Sequence, residues 1–469
     1  MIRSRLIRVP TVFFLILSAH LSAPSQTSLP TDITAQIDKL VADTLARTGV
    51  PSASIAIVKD GAVVYVKAYG DAKLEPKTPA TAAMRYSIGS ISKQFTAAAI
   101  LLLQEQQKLS LDDNVAKYIP NLTRANEVTI RQLLSHTSGY QDYWPQDYVM
   151  KPMLEPTTAR KIMDTWAKKP LDFEPGTKWQ YSNTNYVIAG AIVEKVAGVP
   201  FFQFLQQNIF KPLDMTSVLD IDQGTLTQTD PIGYKRYALG PLRVGPKEGK
   251  GWLFAAGELA MTAADLAKWD IAIMEGRLLK PASYLELGRE VLLKNGLGTN
   301  YGLGVSVNSQ GGRRALSHGG EVSGFTATNI VFPDDRAALV VLVNQDAASA
   351  AGPIAGGIPP LLFATNDPAT AAKLEQAKKI FEGLQQGKID RSLFTENANG
   401  YFNEQALEDF KNSLGPLGQW ESFTQVGQSL RGGMTSFTYI VRFANKTIRA
   451  WTFEMPDGKL EQFQVAVGN

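Results

Sequence analysis

The chain has 469 residues, 44% hydrophobic and 19% charged, with 39 glycines and 25 prolines, a balance that excludes a disordered, fibrous or membrane-filling protein. Its net charge is +3, and Arg3, Arg5 and Arg8 carry three positive charges within a leader, so the remainder is neutral and bears no footprint for nucleic acid or an anionic membrane. The absence of cysteine excludes disulfides, thiolate metal sites, a cysteine nucleophile and a cysteine-linked lipid anchor.

A chain of this length exceeds what one core usually serves, so two domains are expected after the leader. Residues 1–25 have a basic start, an apolar run around Val12 to Leu17, and small residues at Ala23 and Ser25, as a secretory signal peptide does. The run is shorter than the roughly 20 apolar residues of a membrane span. Cleavage near Ala23 to Gln26 is expected, giving an exported protein, periplasmic or secreted, with no membrane span in the mature chain.

Next comes "SASIAIVKDGAVVYVKAYG", Ser52 to Gly70, which alternates about an Asp60-Gly61 turn and predicts a hairpin. Tyr86 to Gln107 predicts a long helix with no polar residue from Ala97 to Leu103, so it should be buried on most of its circumference. A lysine at its mouth, Lys93, then needs a partner or a task. The helical pattern continues from Ile91 to about Val218, broken by "SHTSGYQDYWPQ" and "LDFEPGTKWQYSN". Strand patterns return at Tyr301 to Val307, Phe325 to Phe332 and Ala337 to Asn344. Strands at both ends of a 31–363 domain imply one sheet closed by its termini under a helical subdomain. Residues 364–373, opening with "ATNDPATA", form a linker. Beyond it, helices at Ala371 to Gln386 and Glu404 to Ser413 precede strands at Met434 to Phe443, Thr447 to Met455 and Leu460 to Val467. This makes 374–469 a small α+β module whose order is similar to nuclear transport factor-like domains, with packing or substrate shielding as its expected role.

Only three histidines exist, His20 in the leader, His136 and His318, and no Gly-x-Ser-x-Gly elbow occurs. A serine hydrolase built from this chain would therefore take its base from lysine or tyrosine. Ser90 and Lys93 lie three residues apart on one helix face, with β-carbons about 5–6 Å apart, so the amine can reach the hydroxyl. The helix N-terminus favours developing negative charge, and a desolvated lysine is pushed toward the neutral form that can take a proton. The plain alternative is a helix-capping Ser90 with Lys93 turned to solvent, since this spacing arises by chance about once or twice in such a chain.

Two later stretches add to the pair. "WQYSNTNYVIAG" places Tyr181 and Asn183 at the start of a helix, and "LSHGGEVSGFTATN" places His318, Gly319 and Gly320 at a strand edge. Ser-x-x-Lys, Tyr-x-Asn and a basic-x-Gly triplet, in that order, resemble the serine β-lactamase and penicillin-binding protein superfamily. "LLSHTSGY", "AAGELAMTAADLAKW" and "YGLGV" are similar to its class C-like branch of β-lactamase-related hydrolases, esterases and D-peptidases. The resemblance covers about residues 35 to 363. It implies an α+β, β-lactamase/transpeptidase-like fold: an antiparallel sheet flanked by helices, plus an all-helical subdomain.

It also implies roles for individual residues. Ser90 becomes the acylated nucleophile, Lys93 its proton acceptor, and Tyr181 shares the base role and protonates the leaving group. Asn183 holds the substrate amide and Lys93, its alternative being a helix cap. The backbone N–H groups of Ser90 and Glu321 form an oxyanion hole, and Gly319 and Gly320 let substrate lie along the strand edge. No cofactor or metal is required. Many members have Lys-Thr-Gly where this chain has His-Gly-Gly, which loses a fixed cation and a hydroxyl and weakens the case for a carboxylate-bearing substrate. If imidazolium held a carboxylate, relative activity on such substrates would rise as pH falls from about 7.5 to 6. His136 is expected to make a structural hydrogen bond.

The sequence thus points to an exported hydrolase acting on a small-molecule or peptide acyl donor, an esterase or D-amino-acid peptidase or amidase. A β-lactamase or penicillin-binding D,D-carboxypeptidase is the alternative, and a non-catalytic binding protein the third. The oligomeric state is not encoded in any motif.

Overall fold

The structure, a computed structural model, describes residues 28–347, 350–363 and 368–468. The leader and residues 364–367 of the linker lie outside the described residues.

Helix α1 (Thr31–Thr48) leads into β1 (Ser52–Lys59) and β2 (Ala62–Leu74). Asp60 and Gly61 both take positive φ, 54° and 79°, as a two-residue turn between right-twisting strands demands. β2 runs past Gly70 and pairs with β3 (Lys77–Pro79). A short turn, Gly89–Ile91, feeds α2 (Ser92–Glu105), and α3 (Asn183–Ala197) and α4 (Ala263–Glu275) follow. The chain then returns through β4 (Ser306–Gln310), β5 (Arg313–Val322), β6 (Phe325–Phe332), β7 (Ala337–Val343) and α5 (Ala351–Leu362). These seven strands form one sheet in the order β3-β2-β1-β7-β6-β5-β4. β1 pairs antiparallel with β7, Ile55 opposite Val341, so the two ends of this region close the sheet.

Both faces of the central strands are covered. Ile55, Ile57, Leu339 and Val341 pack toward α1 and α5, whereas Ala56, Val58, Val340 and Leu342 join a second core with α2 and the helical region. That double burial is why β7 is apolar at every position instead of alternating.

The segment Tyr301 to Val307 departs from the strand its sequence predicts. Only from Ser306 onward is it a strand, because Gly302 N–H bonds Val305 and Leu303 N–H bonds Leu287, which folds the stretch into a loop. Gly304, at φ 76°, lies so close to α2 that a β-carbon would sit 2.8 Å from the Lys93 carbonyl. The loop therefore braces the first turn of α2.

The C-terminal region holds α6 (Pro368–Gln385), α7 (Glu396–Tyr401), α8 (Glu404–Leu414) and a four-stranded antiparallel sheet, β8 (Ser422–Arg431), β9 (Met434–Phe443), β10 (Lys446–Glu454) and β11 (Leu460–Val467). α6 begins inside the stretch expected to be linker. Phe381, Phe394, Phe402, Tyr439 and Phe463 centre a core of their own. Among the described residues no single helix is long and apolar enough to cross a membrane.

Candidate active site

The pair Ser90 and Lys93 straddles a join between the turn Gly89–Ile91 and α2. Gly89 takes φ 51°, and a β-carbon there would sit 2.6 Å from the backbone nitrogen of Glu321, so only glycine fits. This brings Ser90 against β5. Lys93 is fully buried, and its Nζ lies 2.8 Å from Ser90 Oγ, 2.8 Å from Asn183 Oδ1 and 2.7 Å from the Ala256 carbonyl. Burial pushes its amine down to about 7, against a smaller upward pull from Asp142. Tyr181 donates its hydroxyl to Ser90 Oγ at 2.8 Å, and desolvation drives its proton affinity well above the ordinary tyrosine value. Ser90 Oγ thus lies between an easily deprotonated amine and a phenol that keeps its proton.

The stretch before α4 anchors this arrangement. Ala255 has φ 55°, its N–H bonds Glu258, and its carbonyl accepts from Thr96, while the next carbonyl, Ala256, meets Lys93. Leu259 N–H bonds Ser92 Oγ. Asn183 opens α3, and its N–H donates to Asp142 Oδ1 at 2.9 Å. Its Nδ2 donates to both Asp142 oxygens at 3.2 Å.

β4 covers β5 only from Arg313 to Ser317, which leaves the stretch from His318 onward as an open edge. Val322 and Phe325 close the two-residue turn to β6, so by alternation the N–H groups of Gly319 and Glu321 point away from β6 toward that edge. Gly319 has open space beside it, with no atom nearer than 3.9 Å to an added β-carbon. Gly320 does not: its β-carbon would lie 1.8 Å from the Ile88 carbonyl. Gly320 therefore has no room beside it for the substrate-side role expected of both glycines, and instead lets the turn bearing Ser90 dock on β5.

His318 also departs from expectation. Its Nδ1 lies 2.5 Å from the Gly319 carbonyl, which only accepts, so Nδ1 carries the proton and Nε2 accepts from the Tyr301 hydroxyl at 2.8 Å. Both ring nitrogens are committed to the protein, and burial, then the nearby Lys93, pushes the imidazole down to about 4. The expected rise in carboxylate recognition between pH 7.5 and 6 has no titrating group at this position. His136 is fully buried, accepts from Ser182 N–H through Nδ1 at 3.2 Å, and packs its ring tilted against that of Tyr181 with centroids 4.3 Å apart, in keeping with the expected structural hydrogen bond.

The cleft beside Ser90 measures about 140 Å³. Tyr143, Trp144, Leu253 and Val322 line it, with Asp147, Glu321 and Asp346 as its acidic groups and, among the described residues, no lysine or arginine. Among the described residues no three His, Cys, Asp or Glu side chains group as a metal site requires.

The motifs name Ser90, Lys93, Tyr181, Asn183, His318, Gly319, Gly320 and Glu321, and all converge here. Asp142, Gly89, Ala256 and Tyr301 do not emerge from the sequence. Ala256 acts through a carbonyl that any residue has, and Asp142 sits in a stretch legible only as a turn. Tyr301 was visible only inside a family-like segment, with nothing to pair it with His318.

The Beta-lactamase family model matches residues 37–355. Protein flp of Staphylococcus aureus is 30% identical over 331 residues, 68% of this chain and 64% of its own length, so the chain spans about 64% of that curated relative. The D-amino acid amidase of Ochrobactrum anthropi SV3 superposes with TM-score 0.60 at 26% identity, over 71% of this chain and 97% of its own. The octameric penicillin-binding protein homologue from Pyrococcus abyssi shares the fold at TM-score 0.63 and 21% identity, over 92% of this chain and 99% of its own. With the family model running over most of the chain, this protein belongs to the Beta-lactamase family of the serine β-lactamase and transpeptidase superfamily.

Proposed function

We propose that the protein is an acyl-transferring serine hydrolase in which Ser90 is the nucleophile, Lys93 the general base and Tyr181 the proton donor to the leaving group. One observation carries this: Ser90 Oγ lies 2.8 Å from both Lys93 Nζ and Tyr181 Oη. A neutral amine has two N–H bonds and one lone pair. The Asn183 and Ala256 oxygens beside Lys93 only accept, so they take the two N–H bonds and the lone pair is left facing Ser90. Lys93 takes the Ser90 proton as Oγ bonds the acyl carbon. Charge on the carbonyl oxygen falls toward the N–H groups of Ser90 and Glu321. Tyr181 gives its proton as the leaving group departs, and the proton held on Lys93 restores it. Water then attacks the ester by the same steps in reverse: Lys93 takes the Tyr181 proton, Tyr181 takes the proton of the attacking water, and Lys93 returns a proton to Ser90 Oγ as its bond to the acyl carbon breaks.

The preferred donors are short esters and amides of D-amino acids, without an obligatory carboxylate next to the scissile bond. Three features support this: a neutral His318 with both nitrogens occupied, the missing hydroxyl at Gly319, and the acidic groups Asp147, Glu321 and Asp346 in the cleft. Likeness to a D-amino acid amidase points the same way. The leader supports export to the periplasm or medium, which N-terminal sequencing of the mature protein checks. The test of function is labelling with a fluorophosphonate and with a penicillin probe: an adduct at Ser90, lost together with turnover in Ser90→Ala, is expected. No adduct with either reagent would favour a binding protein.

A further inference from the structure

We propose that Asp142 is a positioning residue for the reaction at Ser90, acting through the Asn183 amide on Lys93. It rests on the acyl-enzyme reading above.

Of the two oxygens that receive the Lys93 N–H bonds, the Ala256 carbonyl is fixed by the backbone. The other, Asn183 Oδ1, belongs to an amide that presents either an oxygen or an NH₂ to the amine, depending on which way it is turned. With the oxygen toward Lys93, the lone pair of the neutral amine is left for Ser90. Turned over, the amide would offer Lys93 a donor, the lone pair would be drawn to Asn183 Nδ2, and the base would be blocked while every residue stayed in place. Something must choose between these orientations, which are equal in shape.

Asp142 makes the choice. An ionised carboxylate only accepts, so it takes Nδ2 and rejects Oδ1, and it does so with both oxygens at 3.2 Å. Asp142 also receives the backbone N–H of Asn183 at 2.9 Å, fixing the start of α3 as a cap from outside the helix. Its own side chain is held by the Trp144 N–H, two residues on, at 3.1 Å. A continuous line of donors and acceptors therefore runs from Trp144 through Asp142 and Asn183 to Lys93 and Ser90. Asp142 is absent from the walls of the cleft, so it aims the base without touching substrate. The charged and titratable groups around Lys93 are Asp142, which favours its ammonium form, and Tyr181 and Tyr186, whose rings lie 5.0 and 5.4 Å away. His136 and His318 feel its charge from the other side.

The test uses the full chain, p-nitrophenyl butyrate and the isosteric variant Asp142→Asn, whose side-chain amide can donate as well as accept and so no longer dictates the orientation. We expect kcat to fall about tenfold or more with KM within about twofold, since base placement acts on the chemical step and not on binding. The ascending limb of the pH–rate profile should also move to lower pH, because a negative charge near the ammonium is gone. A merely structural role would lower the melting temperature and leave kcat on the high-pH plateau in place. In an Asn183→Ala background, Asp142→Asn should cause no further loss, as its path to Lys93 is already cut. Wild-type kcat on the high-pH plateau, or losses that add independently in the double variant, would overturn the inference. If Asp142→Asn does not fold, Asn183→Ala alone decides: a comparable fall in kcat, whatever the change in KM for a side chain that also lines the cleft, supports the chain of contacts, and wild-type kcat refutes it. Ser90→Ala is run beside these variants. Turnover retained there sinks both the acyl-enzyme reading and this inference, whereas a dead Ser90→Ala beside an unaffected Asp142→Asn sinks this inference alone.

Discussion

On the proposed mechanism, raising the pH across neutrality should switch activity on, because Lys93 lies in the core with its amine pushed from 10.5 down to about 7. Only the neutral amine can accept the Ser90 proton, so kcat/KM for a neutral ester should climb with unit slope below the midpoint and level off above about pH 8. At pH 5 about 1% of Lys93 would be neutral and activity about a hundredfold below the plateau. With an unshifted lysine only about three molecules in ten thousand would be competent at pH 7. The assay is p-nitrophenyl butyrate hydrolysis from pH 5 to 9, with Ser90→Ala as the background. Stability provides an independent check. A depressed folded-state value means the unfolded chain binds more protons between about pH 7 and 10.5, so stability tied to Lys93 rises with pH over that window and is least below 7. The melting temperature of Lys93→Met relative to wild type should therefore fall as pH is raised from 6 to 9. A rate limb centred at 9 or above, or no limb in this range, would refute the assignment of Lys93 as a base primed by burial.

Tyr181→Phe should lower kcat about a hundredfold or more by steady-state kinetics, the usual size of a lost acid–base group. An unaffected variant would leave Lys93 to protonate the leaving group. His318→Lys should raise kcat/KM for a cephalosporin relative to a neutral ester, and a wild-type preference for the cephalosporin at pH 7 would promote the β-lactamase alternative. Gly320→Ala should cost about 1–3 kcal/mol in denaturant melts and most activity, since its β-carbon meets the Ile88 carbonyl at 1.8 Å. A chain ending near Phe363 should fold and still acylate with a fluorophosphonate, because the C-terminal residues centre a separate core.

Much of the fold was legible where one local rule sufficed. Asp60-Gly61 dictates its turn, and the apolar face of α2 dictates burial. Strand β8 escaped the sequence because Phe423 is its one buried position and the rest lies half-buried or exposed, so no alternation survives. Helix α5 escaped because "AGPIAGGIPPLL" is poor helix material, with Pro359 and Pro360 inside it. Packing of Ile354 and Ile358 on the sheet, against α1, overrides that local preference. At the site, Ser90, Lys93, Tyr181 and Asn183 were legible because their chemistry needs particular side chains at fixed spacing. The missing partners are those that hold others in place across long sequence distances: Asp142 reaches Asn183 over 41 residues, and Ala256 reaches Lys93 over 163.

In the proposed mechanism, His318 links the base to the choice of substrate. A lysine can be kept neutral by a neighbouring cation or by burial, and the two routes leave different marks on a cleft. A second cation beside Lys93 would depress its amine and would also offer substrate a fixed positive charge, coupling base activation to carboxylate binding. In this chain the neighbour is a neutral imidazole held by Tyr301 and the Gly319 carbonyl, and burial is the largest cause of the shift on Lys93. The proposed base is therefore primed without a positive charge at position 318, and the cleft walls can carry Asp147, Glu321 and Asp346. On this account His318→Lys should do two things at once: lower the pH at which Lys93 deprotonates, and admit carboxylate donors. If the variant gains carboxylate turnover while the midpoint stays near 7, the two roles of this position are separate and the coupling argued here is wrong.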